Sequence, residues 1–187
     1  MPTSTSIVLA ACTYELDVDY RLIAVDEAWS AFAAANGVPE LVAPAPLGRT
    51  IWSSISDVTT VHLYQQILDR VAATGEAVCV PIRCDAPDLC RYLDLQITRR
   101  RPSGFVIRSV VSRVEPQAPV RLLDRHVPRI AGAMLRMCSW CKMVDTPAGW
   151  RTAADAVVAL GLFEAVAYPE ITHGMCPSCF ARLGGTL

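Results

Sequence analysis

The chain has 187 residues, 52% of them hydrophobic and 19% charged, with 17 basic residues against 18 acidic. That composition can bury a core, which excludes a disordered tail, and the length suits one ordinary domain with a small appendage. The near-neutral balance, a densest basic run of only Arg99-Arg100-Arg101 and a single lysine, Lys142, argue against a nucleic-acid groove and against Schiff-base or P-loop chemistry.

At the N-terminus, "LAAC" at Leu9 to Cys12 has the look of a lipoprotein cleavage box. No basic residue precedes it, and the apolar run from Ile7 to Ala11 is too short for a signal segment. No stretch approaches the ~20 apolar residues of a membrane span. The expectation is a cytoplasmic chain with no membrane partner, whose thiols stay reduced.

"YELDVDYRLIAVDEAWSAFAAANG" reads as strand, turn, strand and helix. Leu22 to Val25 forms a short apolar strand, Asp26 stands at an N-cap, and Trp29, Phe32 and Ala33 recur at helical spacing until Gly37. After a Pro-interrupted loop, Thr60 is expected to cap a second helix with Leu63, Ile67, Leu68 and Val71 on one face, ending at Gly75. Ala77 to Cys84 is apolar and β-branched, and "DAPD" is turn chemistry. Arg91 to Arg99 then alternates, with Leu93, Leu95 and Ile97 on one face. Phe105 to Val114 is the last strand of an α+β domain ending near Glu115.

This order, with "VDEAW" opening the first helix, "PLGRTIWSSI" before the long helix and "GEAV" after it, resembles the PAS sensor domain over roughly residues 13–115. Asp26 stands where PAS domains usually carry Asn. The resemblance implies a five-stranded antiparallel sheet with helices on one face, a pocket for a small-molecule ligand or cofactor, frequent dimerisation and no catalysis. "CRYL" at Cys90 is similar to the flavin-adduct motif of light-sensing relatives, but it falls in a strand after the long helix, whereas that motif belongs on a helix before it. His62 sits where haem-binding relatives draw an axial ligand, yet it shares a polar face with Gln66 and Asp69. Neither cofactor is expected.

"PQAP" at Pro116 to Pro119 separates residues 1–115 from the rest. Val120, Leu123, Val127, Ile130, Met134 and Met137 then step by 3, 4, 3, 4 and 3, the spacing of a coiled-coil seam. The expectation is a linker helix over 116–136, kinked at Pro128, that pairs two chains into a homodimer or packs on its own domain.

Residues 137–187 carry "CSWCK" and "HGMCPSCF". Two Cys-x-x-Cys turns, Cys138 with Cys141 and Cys176 with Cys179, supply four thiolates for a tetrahedral Zn²⁺. The 34 intervening residues, 142–175, exceed the common ribbon spacing, so the insert must fold; Trp150 to Leu160 reads as a short helix closed by Gly161. Cys176 is expected at the N-cap of a last helix with Pro177 in its first turn and Gly184 and Gly185 as its stop. Arg136, Lys142 and Arg182 stand close enough in sequence to offset the negative surplus. His173, three residues before Cys176, could replace a thiolate or orient one. Cys84 and Cys90 flank the "DAPDL" turn and are expected as reduced thiols.

The tail as a whole, "CSWCK…W…THGMCPSC", resembles a cysteine-rich module of bacterial PAS-containing signalling proteins. Together these readings lead to a non-enzymatic sensor: a PAS-like domain, a linker helix and a zinc-stapled helical module that acts through a signalling protein partner. The alternative is a thiol-based redox or metal sensor with the zinc–cysteine cluster as its switch. Catalytic zinc would need an open ligand set that the sequence lacks.

Overall fold

The computed structural model describes residues 11–55 and 57–184; residues 7–10 of the N-terminal apolar run and the Gly185 stop lie outside them. Strands β1 (Ala11–Leu16) and β2 (Leu22–Val25) form an antiparallel hairpin. Asp26 then starts helix α1 (Glu27–Ala35). One carboxylate oxygen accepts the Trp29 N–H at 2.8 Å, and the other accepts the Thr13 N–H at 2.7 Å. A single side chain therefore caps the helix and ties it to β1.

Helix α2 (Val58–Thr74) buries Leu63, Ile67, Leu68 and Val71, the stripe expected of it, and ends at Gly75. Its cap is Asp57, three residues before the expected Thr60. The Asp57 carboxylate accepts both the N–H and the hydroxyl of Thr60, each at 2.6 Å, and a charged acceptor beats a hydroxyl for that place. Strands β3 (Val78–Arg83), β4 (Leu89–Arg99) and β5 (Phe105–Pro116) complete a five-stranded antiparallel sheet in the order β2-β1-β5-β4-β3. Its inner face, with Leu16, Val80, Leu95, Ile97 and Ile107, packs against the α2 stripe in one buried cluster. His62 is exposed on the opposite side of α2.

The linker helix is not formed. A short 3-10 turn (Arg121–Leu123) is followed by strand β6 (Arg129–Cys138). Pro128 withholds a helical donor, and Gly132, at φ +79°, takes a left-handed conformation that breaks both a helix and the strand register. What decides is a distant partner: β6 pairs in parallel with β9 (Tyr168–Gly174), which a local period cannot reveal. The 3-4 spacing of the proposed seam dissolves accordingly. Val120, Val127 and Met137 are buried within the chain's own second core, while Ile130 and Met134 face outward. The seam thus gives no basis for pairing two chains.

The C-terminal part is also more than a helical module. Strands β7 (Val144–Thr146) and β8 (Gly149–Arg151) join β6 and β9 in a sheet of order β8-β7-β6-β9. Trp150 therefore stands on a strand, and helix α3 (Ala153–Ala159) begins only after Thr152, whose hydroxyl accepts the Asp155 N–H. Helix α4 (Pro177–Gly184) closes the described chain. The Arg129 guanidinium donates to the carbonyls of Leu122, Asp124 and Pro169, which fastens the turn and β9 to the start of β6.

Leu122 is fully buried and Ile130 is 46% exposed, the reverse of their ranks in a coiled-coil seam. Leu122→Ala should cost about 2–5 kcal/mol, whereas Ile130→Ala should cost less than about 1 kcal/mol. Urea denaturation of the two variants checks this, and the opposite ranking would restore the helical seam.

Candidate functional site

The parallel pair explains how the two cysteine turns meet. Met137 aligns with His173 and Cys138 with Gly174, so β6 and β9 end side by side and release both turns at one edge of the sheet. Parallel neighbours need a long crossover, and most of the 34-residue separation is that crossover, folded as β7, β8 and α3, with β9 itself making up the rest.

Each turn is held by backbone bonds. In the first, the Cys138 N–H donates to the Met143 carbonyl at 2.7 Å and the Lys142 N–H to the Cys138 carbonyl at 3.1 Å, with Lys142 in a left-handed conformation at φ 60°. The Ser139 N–H crosses to the Gly174 carbonyl at 2.8 Å. A side chain at residue 174 would meet Arg136, since a Cβ there would lie 2.9 Å from its Cδ; this close approach gives a physical reason for glycine after His173. In the second turn, the Cys179 N–H donates to the Cys176 sulfur at 3.4 Å, so Cys176 occupies the cap position of α4.

The sulfurs of Cys138, Cys141, Cys176 and Cys179 all lie within 4.8 Å of one another. Tetrahedral coordination with metal–sulfur bonds of about 2.3 Å places ligand sulfurs roughly 3.8 Å apart. The Cys141 and Cys176 sulfurs, 3.6 Å apart, match that spacing and are far too distant for a disulfide. Among the described residues all eight cysteines are free thiols. The four residues therefore fit a metal ion of thiolate preference.

Electrostatics support the same use. The Cys138 thiol is drawn down to about 4 by donation from the Cys141 thiol, with further help from the N–H groups of Cys176, Cys141 and Trp140 against the cost of burial. Cys141 moves upward because it holds the proton shared with Cys138, and Cys179 is pushed up to about 11, mainly by burial and by the charge on Cys138. Four thiolates cannot coexist in so small a volume without a cation. Of the three expected counter-charges, Arg182 approaches the Cys179 sulfur at 3.3 Å. Arg136 instead pairs with Asp145 and lies over the Trp150 ring, and the Lys142 ammonium donates to the Ser139 carbonyl.

His173 is not in the sulfur group. It lines a small cleft with Ser54, Ile55, Thr60 and Ser139, between α2 and the first cysteine turn. There the Thr60 and Ser139 hydroxyls are 2.9 Å apart. The Trp140 carbonyl accepts the Arg83 N–H at 2.7 Å, extending β3 onto the turn. Cys138, Trp140, Cys176 and Cys179 belong to the same buried cluster as the five-stranded sheet. Cys90 and Cys84 do not face each other as a pair: Cys90 donates to the Gln117 side-chain oxygen beside Arg83, and Cys84 lines a cavity.

That cavity, of about 260 Å³, lies beneath α1 on the inner face of β1, β3, β4 and β5. Trp29, Phe32 and Tyr14 contribute aromatic walls, and both Cys12 and Cys84 open onto it. The Trp29 indole is fixed by donation to the Leu41 carbonyl at 2.7 Å. At the end of α1, the Arg125 guanidinium donates to the carbonyls of Asn36 and Gly37, so the segment leading into β6 clamps the helix that roofs the cavity. Neither the cavity nor these bonds has a local sequence signature, because their partners are dozens of residues apart.

No family model and no curated protein matches the chain. The solved structure of a domain of an HTR-like protein from Haloarcula marismortui ATCC 43049 is similar at 12% identity over 57% of this chain and 97% of that one, with a TM-score of 0.35; a likeness of that size carries no argument. No helix among the described residues is long and apolar enough to cross a membrane.

Native mass spectrometry should find one metal ion per chain, lost in Cys141→Ser and Cys179→Ser and kept in His173→Ala. Because Cys141 and Cys179 must release protons held above the usual thiol range, apparent metal affinity should rise as pH is raised from 6 to 9. A pH-independent affinity would contradict thiol ligation.

Proposed function

We propose that the chain is a cytoplasmic signal-sensing protein, with a PAS-like ligand-sensing domain coupled to a structural zinc centre. The observation that carries this reading is the shared core: the thiol turns lie in one buried cluster with the sheet that forms the cavity floor. A five-stranded antiparallel sheet with helices packed on one face is what the PAS resemblance leads one to expect, and it supports this reading. Zinc suits four thiolates in a closed site, where it adds folding free energy and needs no redox change. It would be held by Cys138, Cys141, Cys176 and Cys179.

In this reading a ligand under α1 shifts that helix, and the Arg125 clamp carries the shift to the β6 segment. The Ser139–Thr60 and Trp140–Arg83 contacts tie the metal centre to α2 and β3. In this reading output passes through a signalling protein partner. A second reading, a thiol switch at the same centre, draws on one observation: Cys141 is only half-buried while the other three cysteines are buried. An oxidant would then reach Cys141 first.

Elemental analysis with a visible spectrum of the purified chain tests the proposal. It should give one zinc per chain, without iron or flavin absorption. Iron at the four sulfurs would overturn the zinc centre. Rapid zinc loss in dilute peroxide, with Cys141 modified first, would instead favour the switch.

A further inference from the structure

The wall of the cavity beneath α1 narrows what it can hold. Apart from the aromatic side chains it is aliphatic, and its polar groups are uncharged: the Ser109 hydroxyl, the Asn36 amide and the thiols of Cys12 and Cys84. No Asp, Glu, Lys, Arg or His lines it. Asp26, whose charge acts on the Cys12 thiol, is already committed to the Thr13 and Trp29 N–H groups. Burial pushes the Cys12 thiol up, with Asp26 and Cys84 adding to the effect, so it stays protonated. A charged ligand would give up hydration there with no charged group in the lining to compensate it, because the Arg91 guanidinium is engaged over the Phe32 ring and is not itself a lining group.

Size sets the second limit. An apolar cavity of ~150 Å³ takes up benzene, and drug-sized ligands or cofactors occupy sites of ~300–1,000 Å³. At about 260 Å³, this cavity lies between the two. It is large enough for one substituted ring or two fused rings, and too small for haem or flavin. Trp29 and Tyr14 meet edge to face, with centroids 5.1 Å apart, and the indole is anchored to Leu41. The Trp29 and Tyr14 part of the aromatic wall is therefore fixed before any ligand arrives, which lowers the ordering cost of binding a flat ring.

We propose that the cavity beneath α1 is a binding site for a small, uncharged aromatic compound of one or two rings carrying at most a weakly polar group. This rests on the reading of the first domain as a sensor and adds the class of ligand sensed.

Titration calorimetry on the full metal-loaded chain with 2-naphthol and its charged counterpart 2-naphthoate tests the inference. The neutral probe should bind at least tenfold more tightly. Ala33→Leu and Ser109→Phe, which fill the cavity from opposite walls, should each weaken 2-naphthol at least tenfold while retaining the metal ion. The probe should also slow alkylation of Cys12 and Cys84 by N-ethylmaleimide, read peptide by peptide, without slowing that of exposed Cys79. Equal or tighter binding of 2-naphthoate, displaced by either filling substitution, would overturn the ligand class and leave the sensor reading standing. Failure of both probes to bind, with Cys12 and Cys84 inert to the maleimide, would show a cavity closed to solutes and overturn both.

Discussion

Three buried thiols and one half-buried thiol lie where they can be stable only as a set. The two cysteine turns pack into the cluster formed by α2 and the five-stranded sheet, so the charge state of the sulfurs is a property of the main core. Cys138 is drawn toward thiolate by donors around it while Cys141 and Cys179 are pushed the other way. That imbalance is what a divalent cation at the centre of the four sulfurs would remove. The parallel register of β6 and β9, the crossover between them and the Ser139 N–H donation to the Gly174 carbonyl all bring the two turns together.

The same placement links two sites that the sequence keeps far apart. The cavity under α1 and the sulfur centre share the sheet as a common wall, and three contacts bridge the halves: Arg125 to the end of α1, Ser139 to Thr60, and Trp140 to Arg83. None is strong alone, since a net intramolecular hydrogen bond contributes about 0.5–1.5 kcal/mol. Their value is positional. They join rigid elements, so in the proposed account displacement of α1 or loss of a bound metal would be felt as a repacking of one core rather than as movement of an independent tail. The proposed route from ligand to output depends on that continuity.

How much of this could be read from the sequence depended on how local the cause was. The Asp26 cap, the α2 stripe and the alternation of Leu93, Leu95 and Ile97 were legible because each reports one-sided burial within a few residues. The four cysteines were legible because their spacing carries chemistry. The segment from Val120 to Met137 misled because apolar loop and strand residues, some buried in the second core and two of them exposed, happened to step by 3 and 4. Only the parallel partner Tyr168–Gly174, some forty residues on, shows why the segment is extended. The cavity left no trace in any one segment, since its lining is drawn from α1 and four strands. At the Pro-rich stretch 116–119, read as a boundary, β5 ends at Pro116 and the Gln117 amide donates to the carbonyls of Ala86 and Pro87.

The central claim is that the metal centre and the five-stranded sheet form one mechanical unit. Amide hydrogen exchange on the metal-loaded and chelated chain tests it most directly. The account predicts that chelation exposes the Arg83 amide and the first turn of α2 along with residues 138–143 and 174–179, while the central pairing of β4 with β5 stays protected. Loss of protection confined to residues 129–184, with Arg83 and α2 unchanged, would contradict it.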